Sequence, residues 1–166
     1  MSDITIGGNP IKTSGSLPNV GESAKAFSLT KVDLSLLTLN DLKGSKVVLN
    51  IFPSVDTSVC AASIRKFNEQ AAELENTKVI CVSRDLPFAQ ARFCGAEGIE
   101  NVMMASDYNT GQFGKDYGLE IIDPPFMNLH SRVIIVIDEN GKIAYTEQVP
   151  EIGQEPNYEN ALAAIK

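Results

Sequence analysis

The sequence "KVVLNIFPSVDTSVC", residues 46–60, runs from a strand pattern through a turn to the start of a helix. Its first seven residues form an apolar run that ends at Pro53, which is typical of a strand buried on both faces. Turn formers follow, and a helix is predicted to begin around Cys60, with Asp56 or Thr57 as its cap. One of only three cysteines in the chain therefore lies where a buried strand passes into a helix.

The regions on either side of this junction predict a sheet with helices packed on it. The chain is expected to begin with a hairpin at 5–12, with Gly8-Asn9-Pro10 as its turn, followed by the strand at 46–52 and the helix from Cys60 to about Asn76. A strand at 78–83, a short helix at 87–94 that stops at Gly95, and a strand at 101–106 come next. The last expected elements are a helical turn closing at Gly118, a hairpin of strands 131–138 and 142–149, and a helix at 157–166. Alternation early and a hairpin late indicate an α/β fold with a mixed central sheet flanked by helices. Active sites of such sheets gather at the carboxyl ends of strands, which is where Cys60 lies.

The composition is that of an ordinary globular protein. At 166 residues the chain is most simply one domain, spanning 1–166. Its net charge is −7, and its lysines and arginines are scattered singly, which argues against a nucleic-acid or anionic-membrane surface. No secretory signal is visible, and the longest apolar runs are too short to span a bilayer. We therefore expect a cytoplasmic protein, whose cysteines stay reduced rather than forming a structural disulfide framework.

The position of Cys60 is compatible with two interpretations. A thiol in the first turn of a helix faces free backbone N–H groups and the positive end of the helix dipole. These favour the nucleophilic thiolate, and the pKa of such cysteines can fall from about 8.5 to between roughly 3.5 and 7.5. Free cysteines are also common as small buried hydrophobes, and position alone leaves both interpretations equal. Thr57, whose hydroxyl would lie beside the sulfur, and Pro53, which stiffens and shields the loop, favour reactivity.

Two blocks of sequence resemble a known family. "PSVDTSVC", residues 53–60, spells P-x-x-x-T-x-x-C, the signature of the peroxiredoxins, and "DLPFAQARFCGAEG" follows at 85–98. Together they are similar to the bacterial thiol peroxidase subfamily of atypical 2-Cys peroxiredoxins, over nearly the whole chain. The resemblance implies a thioredoxin-like fold, to which the N-terminal hairpin is an addition.

The resemblance also implies a role for each matching residue. Cys60 would be the peroxidatic cysteine, which attacks a hydroperoxide and becomes a sulfenic acid. Thr57 would hydrogen-bond the sulfur and the incoming oxygen, within the loop that Pro53 stiffens. Arg132 would lower the pKa of the thiol and hold the charge that develops on the leaving oxygen. Cys94 would be the resolving thiol, forming an intramolecular disulfide with Cys60.

The implied reaction has defined partners. The substrates would be hydrogen peroxide and organic hydroperoxides, and thioredoxin would reduce the disulfide. No cofactor or metal enters the chemistry, and the family forms homodimers. Because a disulfide needs Cα atoms about 4.4 to 6.8 Å apart, we expect local unfolding around 58–62 or 90–96 between the reduced and oxidised states.

The remaining candidate residues have simpler interpretations. Arg132 leads into an apolar run, an awkward site for a charge without a partner, and an anionic sulfur would be a suitable one. The other arginines, Arg65, Arg84 and Arg92, are interpreted as solvated charges on helix or loop surfaces. Cys81 lies inside a predicted buried strand and is interpreted as inert core. Phe88 and Phe93 either favour organic substrates or fill the core.

Rival functions remain open at this point. A cysteine hydrolase would pair Cys60 with His130, the only histidine, and would lose activity in His130→Ala. A peroxidase would tolerate that change but not Arg132→Ala or Thr57→Val. A zinc site is poorly supported because no C-x-x-C pair or close Cys-His spacing exists, and His130 is interpreted as a loop residue beside Arg132. A thiol redox sensor would use the same cysteine, so the sequence barely separates it from an enzyme.

Overall fold

The computed structural model describes residues 3–165. Two sheets are present within that range, one of two strands and one of seven. The strands are β1 (Asp3–Ile6), β2 (Asn9–Lys12), β3 (Ser28–Lys31), β4 (Leu36–Thr38), β5 (Lys46–Ile51), β6 (Thr77–Ser83), β7 (Met103–Ser106), β8 (Val133–Ile137) and β9 (Ile143–Gln148). The α-helices are α1 (Ser58–Ala71), α2 (Pro87–Glu97), α3 (Gln112–Asp116) and α4 (Tyr158–Ala163), and a 3₁₀ helix spans Leu39–Leu42.

The large sheet is mixed, as predicted. Its strand order is β4-β3-β7-β6-β5-β8-β9, with β5, β6 and β7 parallel to one another and the remaining pairings antiparallel. β5 lies between β6 and β8, and its residues from Val47 to Ile51 are at most 1% exposed. The loop that leads to Cys60 therefore starts from an interior strand of the sheet, and a neighbouring strand on each side holds the start of the loop in place.

Alternate residues of β5 face two separate parts of the core. Val47, Leu49 and Ile51 join the cluster on the face away from α1. Val48 packs with Phe67 of α1 on the opposite face. This period-2 pattern explains why the strand reads as continuously apolar in sequence, since both of its faces are covered.

The first helix ends earlier than its apolar pattern predicts. α1 stops at Ala71, and the backbone then turns, with Leu74 N–H donating to the Ala71 carbonyl oxygen. Leu74 still packs against the cluster of Val48 and Phe67, so the apolar periodicity continues after the helix has ended. Asn76, predicted as the approximate end, instead has φ 47 and leads into β6.

Glycine positions explain two further differences from the predicted elements. The prediction that the second helix stops at Gly95 is wrong, because α2 continues to Glu97 and Gly98 supplies the left-handed C-cap at φ 66. The N-terminal hairpin is confirmed, but its turn is Gly7-Gly8, with φ of 55 and 83. Two consecutive positive φ values match a type I′ turn, which glycine accepts without strain. The other predicted strands and helices are confirmed in kind, although α4 is shorter than the predicted 157–166, whose last residue lies outside the described residues. β3 and β4 had no predicted counterpart.

Within residues 3–165, no helix has both the length and the apolar character required to cross a membrane.

Candidate active site

Cys60 is the third residue of α1 and is completely buried. Thr57 is the N-cap residue, with extended backbone at φ −99 and ψ 145, so the helix begins where the sequence predicts. The Thr57 hydroxyl does not cap the helix. It donates to the carbonyl oxygen of Ser54 at 3.2 Å. The sulfur thus lies in the first turn, where backbone N–H groups have no partners within the helix.

Arg132 contacts the sulfur directly. Its Nη2 donates to Cys60 Sγ at 3.3 Å, and its Nε donates to the Ile152 carbonyl oxygen at 2.9 Å. The side chain is only 2% exposed. Nη1 is buried and has no hydrogen-bond partner within the described part of the chain. The guanidinium is therefore fixed by one backbone bond, bound to the sulfur through a second nitrogen, and left with a third nitrogen able to donate.

Strand register explains how residues so distant in sequence meet. β8 pairs antiparallel with β5, and Val133 lies opposite Ile51. Arg132 precedes Val133, so it lies beside the point where the chain leaves β5 for the Pro53 loop. Pro53 itself is buried, as expected for a residue that shields the sulfur. The Arg132 guanidinium thus has two partners at this position, Cys60 Sγ and the Ile152 carbonyl oxygen.

Cys94 lies near the opposite end of its own helix. It is in the last turn of α2, where its carbonyl oxygen accepts from the N–H groups of Gly98 and Ile99. It packs against the apolar cluster that contains Cys60, and both thiols are free. Its side chain is half-buried, and this burial raises the pKa of the thiol. A cavity of about 600 Å³ borders Cys94, with Ala91, Ile99 and Met104 among its lining residues.

A second cavity lies between the start of α1 and the later part of α2. It has a volume of about 390 Å³ and is lined by Thr57, Ser58 and Ala61 from the start of α1 and by Phe93 and Ala96 from α2, among others. It therefore borders the segments of both cysteines, whereas the larger cavity borders Cys94.

Cys81 is a strand residue of the core, as the sequence predicts. It is completely buried in β6, and its Sγ accepts a hydrogen bond from Asn50 Nδ2 at 3.6 Å. Burial raises the pKa of its thiol to about 12. The same Asn50 nitrogen donates to Ser63 of α1 at 3.3 Å, which leaves Cys81 between the sheet and the helix without access to solvent.

His130 is not a simple loop residue. Its side chain is completely buried, and its Nε2 is 2.9 Å from Asp107 Oδ2. It packs on the ring of Phe113 at 5.8 Å between centroids. A cysteine hydrolase needs its histidine bonded to the nucleophile, but here the partner of Cys60 is Arg132. Across residues 3–165, no group of three or more His, Cys, Asp or Glu side chains is placed to hold a metal ion.

The remaining arginines divide into two kinds. Arg65 and Arg92 are exposed, with side chains 46% and 69% accessible, and pair with Glu97 and Asp56 respectively. The expectation of a solvated charge is wrong for Arg84, whose guanidinium donates to the Asn128 carbonyl oxygen at 3.0 Å and is 22% exposed. Arg84 joins loops that only the folded chain brings together.

The two phenylalanines of the second motif also differ. Phe93 is 8% exposed and belongs to the apolar cluster beneath the two cysteine helices. Phe88 is 66% exposed and does not fill the core.

Sequence reasoning missed one polar contact of the cysteine loop. Asp85 Oδ1 accepts from Ser54 Oγ at 2.8 Å, and its Oδ2 accepts from Val55 N–H at 2.9 Å. The residue belongs to the second motif, "DLPFAQARFCGAEG", but contacts the first. The parallel pairing of β5 with β6 was the one available signal, because it places the loops that follow both strands at the same sheet edge.

Comparisons with known proteins agree with this geometry. The redoxin family model matches residues 19–162. The thiol peroxidases of Mycobacterium tuberculosis and Corynebacterium glutamicum are 58% and 54% identical over 165 residues, covering 99% of this chain and of each relative. The chain belongs to the redoxin family, in its thiol peroxidase group. It is therefore a thiol-dependent peroxidase of the peroxiredoxin type.

A solved structure extends the comparison to the fold. The peroxiredoxin-like protein from Aquifex aeolicus superposes with a TM-score of 0.94 at 36% identity, covering 99% of this chain and 96% of that one. The thioredoxin-like fold implied by the sequence resemblance is confirmed. The Cys60–Arg132 contact thus lies in a thioredoxin-like fold, at the cysteine for which the sequence resemblance predicted the reactive thiol.

Proposed function

We propose that this thiol peroxidase reduces hydrogen peroxide and organic hydroperoxides through Cys60 and Cys94, with thioredoxin as the reductant. The observation that carries the proposal is the buried contact between Arg132 Nη2 and Cys60 Sγ at 3.3 Å. The contact places a cationic side chain and a helix N-terminus beside the same sulfur, which is the setting expected of a nucleophilic cysteine.

The first step oxidises Cys60. The thiolate attacks one oxygen of the hydroperoxide, an S–O bond forms, the O–O bond breaks, and a proton on the leaving oxygen gives water or an alcohol. Arg132 Nη1, which is buried and has no hydrogen-bond partner among residues 3–165, supplies a donor for the oxygen on which charge develops. Thr57 bonds the substrate oxygen after its hydroxyl turns away from the Ser54 carbonyl oxygen. Pro53 keeps the loop closed over the sulfur.

The second step joins the two cysteines. The Cys94 thiolate attacks the sulfenic sulfur of Cys60, an S–S bond forms, and the oxygen leaves as water after protonation. Both cysteines lie inside formed helices, in the first turn of α1 and the last turn of α2. At least one of these turns must loosen to reach disulfide geometry, and we assign the change to residues 58–62 or 90–96.

The third step restores both thiols. Two electrons and two protons from the dithiol of thioredoxin reduce the disulfide by exchange. The assignment of thioredoxin, of a homodimer and of a cytoplasmic site of action is supported by the resemblance of the two motifs. The exposed position of Phe88, at 66%, is compatible with an apolar protein contact near α2.

One stoichiometric oxidation tests the cycle. Fully reduced protein receives one equivalent of hydrogen peroxide or cumene hydroperoxide, is quenched in acid, and is examined by intact mass and peptide map. We expect a loss of two hydrogens, with Cys60 joined to Cys94. One added oxygen on Cys60 with Cys94 free would refute the resolving role and favour a one-cysteine peroxidase or a sensor. An unmodified Cys60 would refute the peroxidatic assignment.

The Cys94→Ser variant separates the steps. It should consume one equivalent of peroxide at the wild-type rate, retain one oxygen on Cys60, and fail to turn over with thioredoxin. Cys81→Ser is the matched control, because it changes the other non-peroxidatic cysteine and should keep the full cycle. Turnover by Cys94→Ser at the wild-type rate would contradict the intramolecular mechanism.

A further inference from the structure

We infer that Asp85 is a positioning residue for peroxide reduction, because its carboxylate holds the loop that carries Pro53 and Thr57 at the end of β6, just before the helix that carries Cys94. The inference rests on the proposed function of Cys60. Asp85 is neither one of the two cysteines nor part of the contact between Arg132 and Cys60.

The contacts of Asp85 cross between two segments of the chain. Its carboxylate accepts from Ser54 Oγ at 2.8 Å and from Val55 N–H at 2.9 Å, both in the Cys60 loop. It also accepts from Ser83 Oγ at 2.6 Å, at the end of β6. Three donors converge on two carboxylate oxygens, which is the arrangement in which an ionised acceptor forms its stronger bonds.

Asp85 lies one residue before the capping position of α2. The N-cap residue is Leu86, so the Asp85 side chain is outside the position from which an aspartate caps a helix. Here the N–H groups of Ala89 and Gln90 bond to the Leu86 carbonyl oxygen, and no side chain caps the helix. The carboxylate is directed across the sheet edge instead.

Hydrogen bonds continue from Asp85 towards both cysteines. On one side, the Ser54 carbonyl oxygen accepts from the N–H and hydroxyl of Thr57, the N-cap of the Cys60 helix. On the other side, Ser83 Oγ accepts from Gln90 Nε2 at 3.2 Å. Gln90 is completely buried and lies one turn before Cys94 on α2. One series of bonds therefore links the helix of Cys94 to the cap of the helix of Cys60.

The two reaction steps make opposite demands on this series. Attack on the peroxide requires the Cys60 loop in place, since a displacement of about 1 Å can lower a rate a hundredfold. Disulfide closure requires the first turn of α1 or the last turn of α2 to loosen, which strains the bonds between Ser54 and Gln90. Asp85 thus accelerates the first step and gives no assistance to the second.

Rapid-quench kinetics on the reduced protein tests this division. The chain has no tryptophan, so each phase is followed by acid quench and mass analysis. In Asp85→Ala, we expect the second-order peroxide phase to fall about a hundredfold, while the first-order closure phase stays equal to wild type or becomes faster. Asp85→Asn keeps an acceptor for Val55 N–H and should recover part of the peroxide rate. Ser54→Ala, which removes one donor, is the milder variant that keeps the test valid if Asp85→Ala fails to fold.

Asp138→Ala is the matched control. Asp138 Oδ1 accepts from the N–H groups of Asn140 and Lys142, so it makes a similar local pattern in the turn between β8 and β9, at the opposite end of β8 from Arg132. Its two phases should match wild type. An unchanged peroxide phase in Asp85→Ala, or equal slowing of both phases, would overturn the inference.

Wild-type protein in the same experiment separates this inference from the proposed function. Absence of Cys60 oxidation in wild type would refute the function, and with it the positioning role that rests on it. Absence of closure alone would refute only the role of Cys94, and the peroxide phase of Asp85→Ala would still decide the role of Asp85.

Discussion

Cys60 and Cys94 pack in one apolar cluster, but they lie at opposite ends of their respective helices. Cys60 lies in the first turn of α1, completely buried and bonded to Arg132. Cys94 lies in the last turn of α2, half-buried, where nearby carbonyl oxygens carry the negative end of the helix dipole. The local field differs in sign at the two thiols, so the same residue type is suited to two different steps.

Burial by itself does not activate a thiol. Burial is the main cause of the raised pKa of both Cys94 and Cys81, because a low dielectric disfavours the charged form. Cys60 is as buried as Cys81, but only Cys60 combines burial with a guanidinium and a helix N-terminus. A peroxidatic site therefore requires the charged partner more than it requires concealment from water.

Removal of the Cys60 sulfur should have the largest effect. We expect Cys60→Ser to lower the rate of peroxide consumption by about a thousandfold or more, since an unactivated hydroxyl replaces the nucleophile. Peroxide loss is measured with excess reductant. Cys81→Ser serves as the control because it makes the same cysteine-to-serine change at another position. If Cys60→Ser consumed peroxide within tenfold of the wild-type rate, the attack on peroxide would have to be assigned to Cys94 instead.

Replacement of the arginine tests the charged partner. Arg132→Lys keeps a positive charge but loses the fork that contacts Sγ and offers Nη1, so we expect the peroxide rate constant to fall about a hundredfold. Circular dichroism checks that the fold is retained. Arg65→Lys, on the surface of α1, should react as wild type does, and a similar loss in both variants would contradict a specific role for Arg132.

The pH dependence of Cys94 should separate it from a solvent-exposed cysteine. Burial raises its pKa in the folded state, so the protonated thiol persists to higher pH in the folded state than in the unfolded one. We expect the midpoint of the pH profile for Cys94 alkylation to lie at higher pH in reduced, folded protein than in urea, where it should be near the ordinary value of about 8.5. Peptide mapping separates Cys94 from the other cysteines. A plateau in the folded protein below pH 9 would show that burial does not control this thiol.

The sequence alone predicted the part of the site that is local. The strand of residues 46–52, the following turn and the helix start form one continuous stretch, and periodicity with turn chemistry was enough to place Cys60. The family resemblance added Cys94, Thr57 and Arg132. Geometry now supports the Arg132 contact, whereas the roles of Cys60, Cys94, Thr57 and Pro53 stay predictions.

The features missed from sequence depend on contacts between distant segments. The β3–β4 hairpin turns at Leu34, with φ 71, and no turn rule selects leucine for that conformation. Asp85 and the buried pair of His130 with Asp107 are polar residues whose partners lie far away along the chain. Local pattern carries no information about such pairs, which appear only when strand order is known.

Cys81 gives the smallest expected effect on activity and a test of burial without a charged partner. Its pKa is raised from 9.0 to about 12, so the folded state holds a proton that the unfolded state releases. Because unfolding releases that proton, the stability contribution is fully present below pH 9 and is lost as pH rises from 9 towards 12. At pH 10.5 the loss is about 2 kcal/mol of unfolding free energy.

Cys81→Ala removes this titration. We expect its peroxide turnover at pH 7 to remain within about twofold of wild type, because its side chain contacts neither substrate nor Arg132. Urea unfolding at pH 8 and pH 10.5 should show a smaller alkaline loss in Cys81→Ala than in wild type, with the tyrosines and other cysteines titrating in both proteins. Equal losses would mean that the Cys81 thiolate is accommodated in the folded state. The lack of a positive partner would then not explain why Cys81 is less reactive than Cys60. Access of peroxide to Cys60 would have to explain that difference instead.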